Sequence, residues 1–205
     1  MIIHTCKQKS KEWFDIKILY PLTASKASAI ATAGKGLETL CMSKMAQKYS
    51  TAEKEYYSGK DTERGVELEP QAIAIYELKN NVTVEEIGFI TNEAISPVGG
   101  VSQDGHIGED GMIEVKCNND EIHFACVLEL KKTGKFKIES SHLWQMQMQM
   151  LFTGRKWCDY VRFNPNYKDS LLVIRVEQDS IMQQKIIKGL KIGENIIKEI
   201  ESKLK

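Results

Sequence analysis

GGVSQDGHIGEDGMIEVKC, residues 99–117, is the stretch of this 205-residue sequence that decides the fold. Asp110-Gly111 lies between two β-compatible runs, and an Asp-Gly pair in that position is a strong signal for a hairpin turn. The stretch therefore predicts two neighbouring strands, with Asp104 on the first and Glu114 on the second. An acid from each strand is expected near one end of the hairpin.

The second predicted strand also carries a lysine. Side chains alternate between the two faces of a strand, so Glu114 and Lys116 should project to one side and Val115 to the other. Asp104, Glu114 and Lys116 are therefore expected to converge. Carboxylates are hard oxygen ligands that suit Mg²⁺ or Mn²⁺, and such a metal activates water and clamps a phosphate while a lysine stabilises developing charge. The constellation predicts a metal-assisted phosphodiester hydrolase, although Glu114 and Lys116 taken alone are more typical of a solvated strand face.

Glu69 is a third acid, and it lies on a predicted helix. A single helix face with i, i+3, i+4, i+7 spacing contains Glu69, Ala72, Ile73 and Tyr76. This spacing places the acid at the head of an inward-facing stripe. An alternative interpretation is that Glu69, beside Pro70, begins the helix and complements its dipole.

The rest of the chain predicts a single α/β domain over residues 1–205, with a mixed central β-sheet flanked by helices. Helices are expected over 10–18, 23–33, 37–57, 66–79 and 141–154 and from Asp179 onward. Strands are expected near 82–90, 98–107, 112–117, 122–130, 157–164 and 170–177. The segment 141–154 alternates polar and apolar residues as a strand does, but its serine start and glycine end predict a helix whose methionines are core.

The composition limits the classes of protein to which this chain can belong. The 28 basic and 28 acidic residues cancel, so DNA binding would need a local basic lining rather than a positive chain. Five scattered cysteines are typical of reduced structural thiols and argue against an iron–sulfur cluster. No apolar run approaches the roughly 18 to 20 residues that cross a bilayer, and the N-terminus lacks a signal-peptide core, which predicts a cytoplasmic protein without membrane association.

The chain resembles the phage lambda exonuclease family, also described as the YqaJ-type viral recombinases, within the Asp-(Asp/Glu)-x-Lys nuclease superfamily. The resemblance is carried by Trp13, Thr23-Ala24-Ser25, Gly65-x-x-x-Glu69-Pro70, residues 101–105 and 113–117, Gln145-x-Gln147-x-x-Met150, residues 153–155 and 157–161, and Asn164-Pro165. It implies a restriction-endonuclease-like core and a Mg²⁺-dependent 5′-to-3′ exonuclease, with Mn²⁺ as a substitute. Such an enzyme degrades one strand of duplex DNA and leaves a 3′ single strand for annealing.

The resemblance also implies roles for individual residues. Asp104 and Glu114 would be metal ligands, with the backbone carbonyl of Val115 completing the coordination. Glu69 would be a further acid at the metal, and Lys116 the catalytic lysine.

A second set of residues would bind DNA and its 5′ phosphate. Gln145 matches the family glutamine that approaches the active site and the terminal phosphate, and Gln147 belongs to the same motif. Ser25 and Ser102 match phosphate-binding hydroxyls. Lys17 stands where the family has an arginine, and a lysine is a point charge without the bidentate fork of a guanidinium. Preference for a 5′-phosphorylated end is therefore left open.

The expected partners follow from the same resemblance. They are duplex DNA ends, a single-strand annealing protein, and two further copies of the chain in a ring-shaped trimer through which DNA threads. Two alternatives remain at this point: a sequence- or structure-specific endonuclease with the same metal site, and a non-catalytic DNA-binding module.

Overall fold

Two β-sheets form the centre of the protein in a computed structural model, which describes residues 1–52 and 60–204. The strands are β1 (Ile2–His4), β2 (Leu22–Thr23), β3 (Val84–Glu85), β4 (Phe89–Thr91), β5 (Gly99–Val101), β6 (Gly105–Ile107), β7 (Gly111–Cys117), β8 (Trp157–Phe163) and β9 (Leu171–Glu177). The helices are α1 (Lys11–Leu19), α2 (Ala27–Thr32), α3 (Lys35–Tyr49), α4 (Lys60–Asn80), α5 (Asp120–Thr133), α6 (Ser140–Thr153) and α7 (Ser180–Lys203), with a 3₁₀ turn at Ala24–Lys26.

Both sheets are mixed, as the predicted α/β fold requires. The smaller has the strand order β1-β4-β5-β2 and the larger β3-β6-β7-β8-β9. Among the strands of the described residues, only β2–β5 and β7–β8 pair in parallel, and the β7–β8 crossover carries α5 and α6. The predicted hairpin is confirmed: β6 and β7 are antiparallel, and Gly105 pairs with Ile113.

The single central sheet is corrected to two sheets. The predicted strand 98–107 is broken at residues 102–104 into β5 and β6, which belong to different sheets. The predicted strand 82–90 is divided in the same way between β3 and β4. Period-two patterns cannot show such breaks, because a strand that changes sheets keeps its alternation on both sides of the break.

The predicted strand 122–130 is wrong, since this segment lies within α5. Asn119 caps the helix by accepting a hydrogen bond from the backbone N–H of Ile122 at 3.0 Å, and Gly134 ends it with φ +76°. The buried positions His123, Cys126 and Val127 have helical spacing. Cap chemistry therefore outweighs the local β-compatible composition.

Three predicted helix boundaries also change. Residues 23–26 form the end of β2 and the 3₁₀ turn, so the helix predicted over 23–33 begins only at Ala27. The helix predicted over 37–57 ends at Tyr49, and its residues 53–57 lie outside the described part of the chain. Pro70 is inside α4, so Glu69 lies in mid-helix and the helix-start interpretation of this acid is wrong.

Packing around the larger sheet sets the direction of the β7 side chains. Ile113 and Val115 pack with the α4 residues Ala72 and Tyr76 on one face. Met112 belongs to the opposite cluster, which contains Met146 and Met150 of α6 and thus confirms the predicted core role of those methionines. Glu114 shares the Met112 face, so α6 covers its side chain.

The smaller sheet rests on a separate core built by α2, α3, α6 and α7. Gly189 of α7 allows a close approach to α2, since a Cβ there would lie 1.8 Å from the carbonyl oxygen of Ile30. All five cysteines are free, as their scattered positions predict. Of the helices within residues 1–52 and 60–204, none combines the length and hydrophobicity that crossing a bilayer requires.

Candidate active site

A cavity of about 480 Å³ opens beside the β6–β7 hairpin. Its walls come from the N-terminal segment, α1, the 3₁₀ turn, α4, β7 and α6. The sequence-predicted residues on its lining are Lys17, Ser25, Glu69, Ser102, Asp104, Glu114, Val115, Lys116 and Gln145. The structure thus brings together residues that the sequence separates by more than a hundred positions.

Glu114 is the most deeply buried acid in this cavity, with 1% of its side chain exposed. Its Oε1 accepts hydrogen bonds from the ammonium group of Lys116 and from Nε2 of Gln145, the latter at 2.7 Å. Its Oε2 accepts a hydrogen bond from Nε2 of Gln149 at 2.8 Å. These partners satisfy the buried carboxylate oxygens and determine the orientation of the side chain.

Asp104 immediately precedes β6 and is hydrogen-bonded to the neighbouring strand. Its Oδ2 accepts the backbone N–H of Val115 at 2.6 Å. Burial, followed by the nearby carboxylates of Glu114 and Glu69, raises the pKa of Asp104 well above its usual range. Burial alone would lower the pKa of Lys116, but Glu114 and Asp104 outweigh burial and raise it. The ammonium of Lys116 is therefore held in its charged form.

Glu69 reaches the cavity from α4 and is partly exposed. Burial is the main cause of its raised pKa; the charge of Lys9 opposes this shift and that of Glu114 adds to it. Within the described residues, no three or more His, Cys, Asp or Glu side chains are arranged to hold a metal ion. Glu69 lies on the same lining as Asp104 and Glu114, and its role as a further acid at the metal stays a prediction.

The donor set fits a hard divalent cation. Two carboxylates and the neighbouring peptide oxygen of Val115 offer only oxygen atoms, which Mg²⁺ and Mn²⁺ prefer. The mutual repulsion that raises the pKa of Asp104 is also what a cation between the carboxylates would relieve. Asp104, Glu114 and the Val115 carbonyl could therefore hold such an ion.

The opposite end of the cavity is cationic. Nζ of Lys17 lies 3.6 Å from the ring centroid of Trp13, and the indole N–H of Trp13 donates to Oγ of Ser102 at 2.9 Å. Burial, followed by repulsion from Lys44 and Lys26, lowers the pKa of Lys17 to about 8. An anion at this end would relieve that repulsion.

The hydroxyl groups of this cationic end come from two loops. Ser25 is exposed and lies on the lining, with its Oγ 3.4 Å from Oγ1 of Thr23. Ser102 is partly buried on the lining, where its Oγ accepts the indole N–H of Trp13. Both are positioned to donate to an anion beside Lys17.

The phosphate-binding prediction for Gln147 is corrected, because this residue does not line the cavity. It is buried beside α7, where its Nε2 donates to the carbonyl of Glu177 and its Oε1 accepts the N–H of Asp179, both at 2.8 Å. Residues two apart on a helix point roughly 200° apart, so Gln145 and Gln147 cannot face the same side. Gln147 joins β9 to α7 instead.

Two further α6 residues at the site were not predicted. Gln149 binds Glu114, and His142 lines the cavity while its Nδ1 lies 2.8 Å from the hydroxyl of Tyr160. Together with Gln145 they occupy positions i, i+3 and i+7 of the helix. The helical period, applied outward from Gln145, would have identified both residues.

The region of the chain that forms most of this cavity matches a known protein family. A family model described as "YqaJ-like viral recombinase domain" matches residues 12–156, which contain every predicted site residue. No curated protein sequence is similar enough to be matched.

Solved structures resemble nearly the whole chain. An alkaline exonuclease (LHK-Exo) from Laribacter hongkongensis has a TM-score of 0.77 at 29% identity, covering 95% of this chain and 98% of that chain. Its complex with dAMP gives 0.77 at 30% identity, with the same coverage. A phage related exonuclease from Haemophilus somnus 129PT has a TM-score of 0.66 at 16% identity, covering 90% and 96%, which is a likeness of fold alone. The predicted restriction-endonuclease-like core is confirmed.

Proposed function

Because the chain belongs to the YqaJ-like viral recombinase family, we propose that it is a Mg²⁺-dependent exonuclease that degrades one strand of duplex DNA from the 5′ end. Family membership and the exonuclease neighbours support a nuclease function. The observation that carries the finer proposal is the convergence of Asp104, Glu114 and Lys116 in one cavity. LHK-Exo is known in complex with dAMP, and a nucleoside monophosphate is the product that stepwise hydrolysis from an end releases.

Asp104, Glu114 and the carbonyl of Val115 would hold the metal. When bound, Mg²⁺ supplies an activated water and a clamp on the scissile phosphate. Lys116 is already protonated at neutral pH because its pKa is raised, so its role is to stabilise negative charge that develops on the phosphate rather than to act as a base. Gln145 donates one amide hydrogen to Glu114 and can donate the other to a phosphate oxygen.

The cationic end suits a terminal phosphate. Lys17 supplies charge, and Ser25 and Ser102 supply hydroxyl donors. Since both ends belong to one cavity, a 5′-terminal phosphate held beside Lys17 would direct the next phosphodiester towards Asp104 and Glu114. This arrangement favours attack at a 5′ end over attack within a continuous strand.

The protein would act as part of a larger assembly in an infected cell. Residues 1–205 would act as a single nuclease domain within a ring-shaped trimer, in the cytoplasm of a phage-infected host. The product would be a 3′ single strand for an annealing protein. Light scattering should then give three times the chain mass of 23.3 kDa. A monomer that degrades long duplexes distributively would contradict the ring.

End-labelled substrates test the reaction. Purified protein is incubated with Mg²⁺ and linear duplexes labelled at one 5′ or one 3′ end, in 5′-phosphate and 5′-hydroxyl forms, beside a closed circle. We expect early release of the 5′ label and an intact circle. Cleavage of the circle would instead favour an endonuclease with the same metal site, and early release of the 3′ label would reverse the proposed polarity.

A further inference from the structure

Gln149 is a fully buried amide that contacts both chain segments of the candidate metal site. It lies on α6 with no exposed surface, and its Nε2 donates to Oε2 of Glu114 at 2.8 Å. The same nitrogen donates to the backbone carbonyl of Ser102 at 2.7 Å. Glu114 is on β7, whereas Ser102 lies between β5 and β6, two residues before Asp104. One amide group therefore spans the two segments that carry the candidate ligands.

Only a side chain with two hydrogens on one nitrogen can make this bridge at neutral charge. Each amide hydrogen of Gln149 is directed to a different acceptor. A glutamate at this position would repel Glu114, and an aliphatic residue could donate to neither acceptor. The contact with Glu114 fixes the position of a carboxylate oxygen without adding a charge beside it.

The need to fill space in the core does not explain why residue 149 is a glutamine. Oε1 of Gln149 is buried without a hydrogen-bond partner among the described residues, which is unfavourable for a polar atom. Its helix neighbours Met146, Met148 and Met150 are equally buried and fill the core with no polar atom to satisfy. A fourth methionine would fill a similar volume without this penalty, so the donors of Gln149, rather than its bulk, explain its presence.

We propose that Gln149 is a positioning residue that holds Glu114 and the segment leading to Asp104 in their metal-binding arrangement. It touches neither substrate nor metal. This inference rests on the proposed function, because it concerns the affinity of the same site for a divalent ion. Loss of an outer partner of a metal ligand typically weakens metal binding by about 10- to 100-fold.

The test measures Mn²⁺ binding directly, by electron paramagnetic resonance titration of the full-length protein without DNA. Gln149→Met is compared with the wild type and with Gln147→Met. Gln147 is a matched control because it lies on the same helix, is also buried and also loses its side-chain hydrogen bonds, none of which involves a candidate metal ligand. Gln149→Leu provides a second variant that removes the same donors, and thermal melting shows which variants are folded.

We expect both Gln149 variants to raise the Kd for Mn²⁺ by about 10- to 100-fold, while Gln147→Met stays within about twofold even where it lowers the melting temperature. Equal affinity in wild type and Gln149→Met would overturn the inference, as would a similar loss in Gln147→Met. If the wild type itself binds no Mn²⁺, the proposed function fails, and this outcome is distinct from failure of the bridge alone.

Discussion

Lys116 donates a hydrogen bond from its ammonium group to the buried carboxylate of Glu114, two residues earlier on the same strand. Both side chains stand on the face of β7 that α6 covers, because residues two apart on a strand share a face. The negative charges of Glu114 and Asp104 raise the pKa of Lys116 despite its burial. The lysine consequently remains a cation at neutral and alkaline pH.

Lys116→Met should therefore lower the rate of nucleotide release by about 10²- to 10³-fold, the usual cost of losing one group that stabilises transition-state charge. The rate is measured at saturating DNA and Mg²⁺. Mn²⁺ affinity should be unchanged or higher, since the variant removes a positive charge beside the metal ligands. A variant that loses Mn²⁺ binding, or that keeps the wild-type rate, would show that Lys116 does not act on the reacting phosphate.

Lys17 predicts a pH-dependent choice of DNA ends. Its pKa is lowered to about 8, so its charge is complete at lower pH and is lost as the pH rises through that value. The ratio of rates on 5′-phosphate and 5′-hydroxyl ends should fall by up to about tenfold between about pH 7 and pH 9. Matched substrates across this range measure the ratio.

Lys17→Arg is the control for this prediction. A guanidinium stays charged throughout the range and offers a bidentate fork to phosphate, so the ratio should be high and independent of pH. If the wild-type ratio does not change with pH, or the arginine variant follows the same curve, Lys17 does not bind the terminal phosphate.

Gly189 allows α7 to pack closely against α2. A Cβ at this position would lie 1.8 Å from the carbonyl oxygen of Ile30, and backbone cannot move away as cheaply as a side chain. Gly189→Ala should lower the free energy of unfolding by about 1–3 kcal/mol, which for a chain of this size lowers Tm by about 2–4 °C per kcal/mol.

Gly36→Ala provides the contrast in a melting experiment. Its Cβ would meet only the Cβ of Ala29, at an ordinary 3.9 Å. We expect an unchanged or slightly higher melting temperature, since alanine favours helix over glycine. Similar melting curves for the two variants would mean that the α7–α2 contact is looser than the structure indicates.

Much of the candidate site could be predicted from the sequence, because its signals are local. The Asp110-Gly111 pair predicts the hairpin, whose turn lies at residues 108–110, and strand alternation places Glu114 and Lys116 on one side. The family resemblance then identifies residues at the cationic end of the cavity, including Lys17 and Ser25.

Other features could not be predicted from the sequence. Some depend on tertiary contacts, and others on the helical period rather than on the alternate positions that were considered. The family motif links Gln145 with Gln147, but the helix turns about 100° per residue, so Gln149 contacts Glu114 whereas Gln147 contacts the segment before α7. The segment 122–130 is helical because of its Asn119 cap, which was not recognised. The division of residues 98–107 between two sheets depends on which strands they pair with, and composition does not record this.

Asp104→Asn provides the most direct test of the central claim that this cavity is a metal-dependent nuclease site. The substitution preserves shape and an oxygen that can accept the N–H of Val115, but removes the charge that a cation needs. Wild type and variant are incubated with linear duplex DNA and Mg²⁺, with a chelator control. The account predicts that wild-type protein degrades the DNA only with metal and that the folded variant does not. Degradation by Asp104→Asn at the wild-type rate would contradict it.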